Sequence, residues 1–236
     1  MNPQPDCPTR EPATSSERGA PLLEAVDLGG DRGGRPLFRA LRFALQPGQV
    51  GWLRGRNGRG KTSLLRLMAG LATPAAGAVH CAGVPLARAG TTWRERLLYV
   101  GHANALKEDL TVAESLRFYA QIQGRTCTAA TLAEALARLA IAPLAARPVR
   151  TLSQGQRRRV ALARLALPQP PSVWLLDEPF DALDDDGVRL LNALLSEHAA
   201  AGGSTLLTSH LALTLDNPAP MLLELDAPET SSLRAA

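Results

Sequence analysis

The segment Gly55-Arg56-Asn57-Gly58-Arg59-Gly60-Lys61-Thr62 carries the G-x-x-x-x-G-K-[S/T] spacing, with Ser63 directly after it. A short apolar run, Val50 to Leu53, leads into it, and Leu64, Leu65, Leu67, Met68 and Leu71 follow at helical spacing. In a glycine-rich loop between a buried strand and a helix, successive backbone N–H groups turn inward around phosphate oxygens. The helix N-terminus adds its partial positive charge. Lys61 supplies a point charge to the β- and γ-phosphates, and the Thr62 hydroxyl can ligate Mg²⁺. Lys61 and Lys107 are the only lysines in an arginine-rich chain, and a planar guanidinium would fit poorly at this position. The strand before this loop and the helix after it, with the same alternation beyond Thr151, argue for helices around a parallel sheet, the α/β class.

A second apolar run, Val173-Trp174-Leu175-Leu176, delivers Asp177-Glu178 at its carboxyl end, where ligands bind in open α/β sheets. An aspartate there can hold Mg²⁺, and Glu178 can polarise an attacking water. Four apolar residues and two acids say little alone. With the loop they define a nucleotide-hydrolysing site.

The rest of the chain is organised around these two segments. Residues 1–20, with four prolines among Ser, Thr, Asp and Glu, predict a disordered tail. Between Leu22 and Val50, short apolar segments alternate with Gly- and Pro-rich turns and predict short strands. Glu108 to Ala146 reads as a helical insert. Thr111-Val112-Ala113-Glu114 is a capping box opening a helix through Tyr119, and Thr131-Leu132-Ala133-Glu134 predicts a second start, with Leu132, Leu136 and Leu139 on one face. Beyond Thr151 the pattern predicts a helix to Leu167, a strand over Val173–Leu176, a helix over Val188–Ala200 and a strand over Thr205–Thr208. Nothing after Asn217 has a clear periodicity. The net charge of +4 comes from scattered arginines and permits an anionic partner without arguing for one. Three separated cysteines give neither zinc nor haem-attachment spacing, and no run approaches the roughly 18–20 apolar residues of a membrane span.

Further motifs narrow the class. Leu152-Ser153-Gln154-Gly155-Gln156 continues into Arg157-Arg158-Arg159-Val160-Ala161-Leu162-Ala163-Arg164. Asp177-Glu178-Pro179-Phe180-Asp181-Ala182-Leu183-Asp184 and Leu207-Thr208-Ser209-His210 follow. In this order and spacing, from about Leu22 to Asp216, the chain resembles an ABC-transporter ATP-binding subunit. The resemblance implies a RecA-like P-loop ATPase fold: a parallel sheet, an antiparallel β subdomain and a helical subdomain inserted at about 106–150. It implies one domain over 21–216, with 217–236 as a C-terminal segment. It also implies ATP and Mg²⁺ as ligands, Gly55 to Ser63 binding nucleotide, Glu178 as catalytic base and His210 as the catalytic switch that senses the γ-phosphate. Asp177 and Thr62 would hold the metal. Ser153 and Gly155, in the signature Ser153-Gln154-Gly155-Gln156, would contact ATP held by an opposite subunit, in a head-to-tail C2 homodimer with Asp184 at its interface. The run Arg157 to Arg159 predicts a solvated helix face.

Leu98-Tyr99-Val100-Gly101-His102, Leu106-Lys107 and Glu114-Ser115-Leu116-Arg117-Phe118-Tyr119 resemble the haem-exporter ATP-binding subunits of bacterial cytochrome c maturation, as does Trp174 to Phe180. That resemblance implies a separate membrane-spanning partner, a peripheral place on the cytoplasmic face of the inner membrane, and no nucleic-acid partner. Another ABC exporter, or a soluble ABC ATPase acting on nucleic acid or ribosomes, is the alternative. The latter class usually carries two cassettes or a long coiled-coil insert, and this chain has neither. Where most ABC subunits have a metal-bridging Gln, this chain has His102, and His102 or Asn104 would substitute. Arg59 replaces a small residue and adds charge near the phosphates, Gln154 replaces the usual small signature residue, and Arg32 lies where an adenine-stacking aromatic is expected.

Overall fold

Strands of two kinds frame the molecule, seen in a computed structural model that describes residues 20–168, 172–211, 213–215 and 217–225. The tail expected over 1–20 lies outside the described residues except for Ala20. β1 (Leu23–Arg32) and β2 (Arg35–Leu45) form an antiparallel hairpin turned at Gly33 and Gly34. It is longer than its short apolar segments predict, because register shifts after Ala25, Leu28 and Gly30 interrupt the alternation. β3 (Val50–Arg54) opens the second sheet, and α1 (Lys61–Met68) follows the glycine loop. Leu64, Leu65, Leu67 and Met68 are buried as predicted. Leu71 is not: the helix ends before Gly70 (φ 69°), and Leu71 is 55% exposed.

β4 (Ala76–Cys81) and β5 (Val84–Pro85) complete an antiparallel sheet of order β2-β1-β4-β5. α2 (Leu86–Arg96), broken at Gly90, leads to β6 (Leu97–Val100). The helical insert contains α3 (Val112–Ile122) and α4 (Ala129–Arg138). Thr111 caps α3 through the predicted reciprocal pair with Glu114. α4 begins a turn earlier than predicted: Thr128 Oγ1 accepts from the Thr131 N–H at 3.2 Å, so Thr131 lies inside the helix.

α5 (Gln154–Ala163) tightens into a 3₁₀ turn at Arg164–Ala166, just before the predicted end at Leu167. β7 (Val173–Leu176), α6 (Asp185–Ala200), β8 (Ser204–Thr208) and β9 (Met221–Glu224) follow. The second sheet is parallel throughout, in the order β6-β7-β8-β3-β9. β9 was not legible in the sequence; it pairs with β3 from Gly51↔Met221 to Arg54↔Glu224.

Both faces of the parallel sheet are covered. On one, Leu53, Leu175 and Leu206 pack with α1 and with Leu28, Phe38 and Leu41 of the antiparallel sheet. On the other, Val100, Leu176 and Leu207 pack with Leu116, Leu136, Leu191 and Leu195 of the helices. Burial on both sides explains why β7 reads as an unbroken apolar run. Because β7, β8 and β3 are neighbours, the segments leaving their carboxyl ends converge at one rim. Among the described residues, no helix is long and apolar enough to cross a membrane.

Candidate nucleotide site

Gly60 sets up the phosphate loop. Its φ of 98° suits glycine, and a Cβ there would come within 3.0 Å of the Leu37 Cβ. α1 has no side-chain cap and no acid in its first turn. Its leading N–H groups are thus left for an anionic ligand, where the helix dipole favours negative charge. Lys61 Nζ donates to Gly55 O at 2.7 Å, holding the ammonium over the loop.

Asp177, 2% exposed, is the hub of a hydrogen-bonded chain across three strand ends. Its Oδ2 accepts from Thr62 Oγ1 at 2.8 Å, and its Oδ1 accepts from Thr208 Oγ1 at 3.0 Å. Thr208 Oγ1 in turn accepts from the Glu178 N–H at 2.8 Å. Glu178 Oε2 accepts from the His210 N–H at 3.1 Å, and its Oε1 lies 3.3 Å from His210 Nε2. Burial, and then the Asp177 charge, raise the Tyr99 phenol above its usual range. Glu178 adopts φ 47°, an uncommon conformation for a residue with a side chain.

Gly60, Lys61, Thr62, Asp177, Glu178 and His210 share a cleft of about 260 Å³ with Asn57, Gly58, Ser63 and His102, and Arg32 and Leu37 line it too. Arg56 and Arg59 do not; with Arg54 and Glu224 they line an adjoining concavity that shares Lys61 and His210 with the cleft. Ser153, Gly155 and Gln156 lie in a third concavity with Asp184, away from this chain's own loop, and Gln154 is exposed. Ser153 Oγ caps α5 by accepting from the Gln156 N–H at 3.2 Å, and Gln156 Oε1 accepts from the Ser153 N–H at 3.0 Å. A Cβ on Gly155 would approach Ala182 O to 2.8 Å, so glycine lets this helix tip close on the turn before α6. Asp184 caps α6 at the Gly187 N–H and pairs with Arg159; these contacts hold its carboxyl below the usual range.

The family profile of the ABC transporter matches residues 38–181, more than half of the chain. The chain belongs to the ABC transporter family. The cytochrome c biogenesis ATP-binding export protein CcmA of Cupriavidus pinatubonensis is 46% identical over 190 residues, covering 80% of this chain and 84% of that protein. The protein of the same name from Pseudomonas aeruginosa is 45% identical over 194 residues, covering 82% and 95%. A solved structure described as the ATP-binding subunit of an ABC transporter superposes with a TM-score of 0.79 at 26% identity, covering 91% of this chain and 88% of that one.

Membership of the ABC family implies ATP binding. Two details then stand out. Asn104, one of the two side chains considered for metal bridging, has its Oδ1 engaged by Arg158 at 3.1 Å. His102 lines the cleft, with Nδ1 3.6 Å from Asp181 Oδ2. The arginine run is not the solvated face its charges predict. Arg157 pairs with Glu108 and bonds Arg150 O, Arg159 bonds Leu139 O and pairs with Asp184, and Arg158 is buried. Packing against backbone carbonyls from distant segments overrides the local pattern, and no signal within the run distinguishes Arg158 from its neighbours.

Proposed function

We propose that this chain is the ATP-hydrolysing subunit of an exporter in c-type cytochrome biogenesis. It energises a haem export or release step in a separate membrane-spanning subunit, from the cytoplasmic face of the bacterial inner membrane. The linked set Thr62–Asp177–Thr208–Glu178–His210 carries the hydrolytic half of this reading. The relatives at 45–46% identity, named for cytochrome c biogenesis export, support the pathway.

In the proposed mechanism, the loop amides and Lys61 bind the phosphates, with Lys61 turning from Gly55 O toward them. Glu178 takes a proton from the water that attacks the γ-phosphorus. The new P–O bond forms as the bond to the β–γ bridging oxygen breaks, and ADP and phosphate leave. His210 fixes the Glu178 carboxylate through its N–H and ring. Thr62 Oγ1 and the Asp177 carboxylate, hard oxygen donors side by side in the cleft, fit Mg²⁺, with His102 as the further candidate ligand. When bound, Mg²⁺ neutralises charge on the phosphates. Ser153, Gly155 and Gln156 line a concavity separate from the cleft at the loop, with exposed Gln154 beside them, and a head-to-tail homodimer would use such a second surface. In that dimer they contact the partner's ATP, and Asp184 lies at the interface.

Affinity purification of the Glu178→Gln chain with ATP from detergent-solubilised membranes tests the reading. Recovery of a small polytopic subunit together with cytochrome c maturation proteins is expected. A different membrane partner would discard the haem pathway, and ribosomes without a membrane protein would discard the exporter.

A further inference from the structure

All five N–H bonds of the Arg158 guanidinium end on protein oxygens. Nε donates to Pro179 O at 3.2 Å, Nη1 to Gly101 O and Asn104 Oδ1 at 3.1 Å each, and Nη2 to Asp177 O at 3.1 Å and Glu178 O at 2.6 Å. The residue is 3% exposed. The acceptors come from two segments, one after β6 and one after β7, while Arg158 itself belongs to α5. A buried cation is a poor way to fill space, since an apolar side chain of similar size often serves as well or better. A planar five-donor fork is suited to holding several carbonyls in fixed directions.

The shortest of the five bonds falls on the carbonyl of Glu178, the residue with φ 47°. Strain of this kind persists where surrounding contacts over-determine it. Two more bonds reach Gly101 and Asn104, on either side of His102. At the N-terminal tip of α5, just over one turn before Arg158, Ser153 caps the helix and borders the signature concavity. One rigid helix thus bears on a phosphate contact at its tip and on the backbone of the base along its side.

We infer that Arg158 is a positioning residue that ties the signature helix to the turn aiming Glu178 and to the loop carrying His102, so that phosphate docking at Ser153 is transmitted to the base of the same subunit. This rests on the roles proposed above for Ser153 and Glu178.

The test compares steady-state ATP hydrolysis by the full chain as wild type, Arg158→Lys, Arg158→Gln and Glu178→Gln, with binding of a fluorescent ATP analogue and thermal melts alongside. Lysine keeps the charge but offers three donors from one point. Misplacement of a reacting group by about 1 Å can cost on the order of 100-fold in rate. Arg158→Lys is expected to lower kcat by about 10- to 100-fold, with KM for ATP and analogue affinity within about twofold of wild type. If Arg158→Gln does not fold, Asn104→Ala removes one acceptor and is expected to lower kcat by about threefold, again at constant KM. Full turnover by Arg158→Lys, in a chain that Glu178→Gln silences, would overturn this inference alone. So would a loss of kcat that only tracks loss of folded protein. Full turnover by Glu178→Gln would overturn the base assignment and this inference with it.

Discussion

His210 engages both carboxylate oxygens of Glu178, by its backbone N–H at 3.1 Å and by its ring Nε2 at 3.3 Å. The two residues follow adjacent parallel strands, β7 and β8, whose register pairs Leu176 with Leu207. Glu178→Gln keeps an oxygen for the His210 N–H but cannot take a proton. Phosphate release is expected to fall by about 10²- to 10⁴-fold while ATP affinity, measured by calorimetry, is retained. His210→Ala removes the ring contact and leaves only the backbone N–H on the Glu178 carboxylate, and is expected to lower kcat by at least about tenfold.

Lys61→Ala removes the ammonium held at Gly55 O while sparing the loop backbone. A hydrogen bond to a charged group contributes about 1.5–3 kcal/mol. The preference for ATP over adenosine, from paired titrations, is expected to fall by about tenfold or more. An unchanged preference would remove Lys61 from the phosphate site.

The proposed homodimer can be tested directly. Glu178→Gln with ATP is expected to elute as a dimer by gel filtration with light scattering, and as a monomer without nucleotide. Adding Ser153→Arg places a long side chain where the partner's phosphate should dock. Loss of the α5 cap costs only about 1 kcal/mol, so the double variant is expected to stay folded and monomeric. A dimer that survives this change would place the interface elsewhere.

Stability should depend on pH through His198. Its ring stacks on Trp174 with centroids 3.7 Å apart, and Nε2 lies 3.0 Å from Ser172 O. Burial pushes its pKa down to about 4. The unfolded chain takes up a proton near 6.5, but the folded chain does not until about pH 4, so the folded state loses ground as pH falls through that window. The loss approaches about 3 kcal/mol at its lower end. Urea midpoints at pH 7 and 4.5 are expected to differ for wild type and to converge for His198→Phe, which keeps the stack.

What the sequence revealed depended on how local each feature was. The phosphate loop, Asp177-Glu178 and the Thr111–Glu114 cap are complete within a few residues, so spacing alone located them. Thr128 and Thr131 both offer a hydroxyl three residues ahead of a polar N3 side chain, and the sequence pattern favoured the wrong one. β9 is four residues just after Pro218 and Pro220, and its apolar character matters only beside β3, far back in the chain. Arg158 was misread for a similar reason: its five acceptors lie on segments before and after it, and a run of arginines ordinarily marks a wet surface.

The pairing of β9 with β3 gives the far end of the chain a hold on its chemistry. Met221–Glu224 covers the outer rim of the strand that feeds the phosphate loop, and Leu225 N–H reaches back to Arg54 O at 2.9 Å, one residue before Gly55. Shortening the protein at residue 216 would convert β3 from an interior strand to a border strand. Its row of main-chain groups would then face water or a second chain, as exposed sheet borders do. Deletions that remove β9 therefore act beside the glycine loop, however distant they look along the sequence.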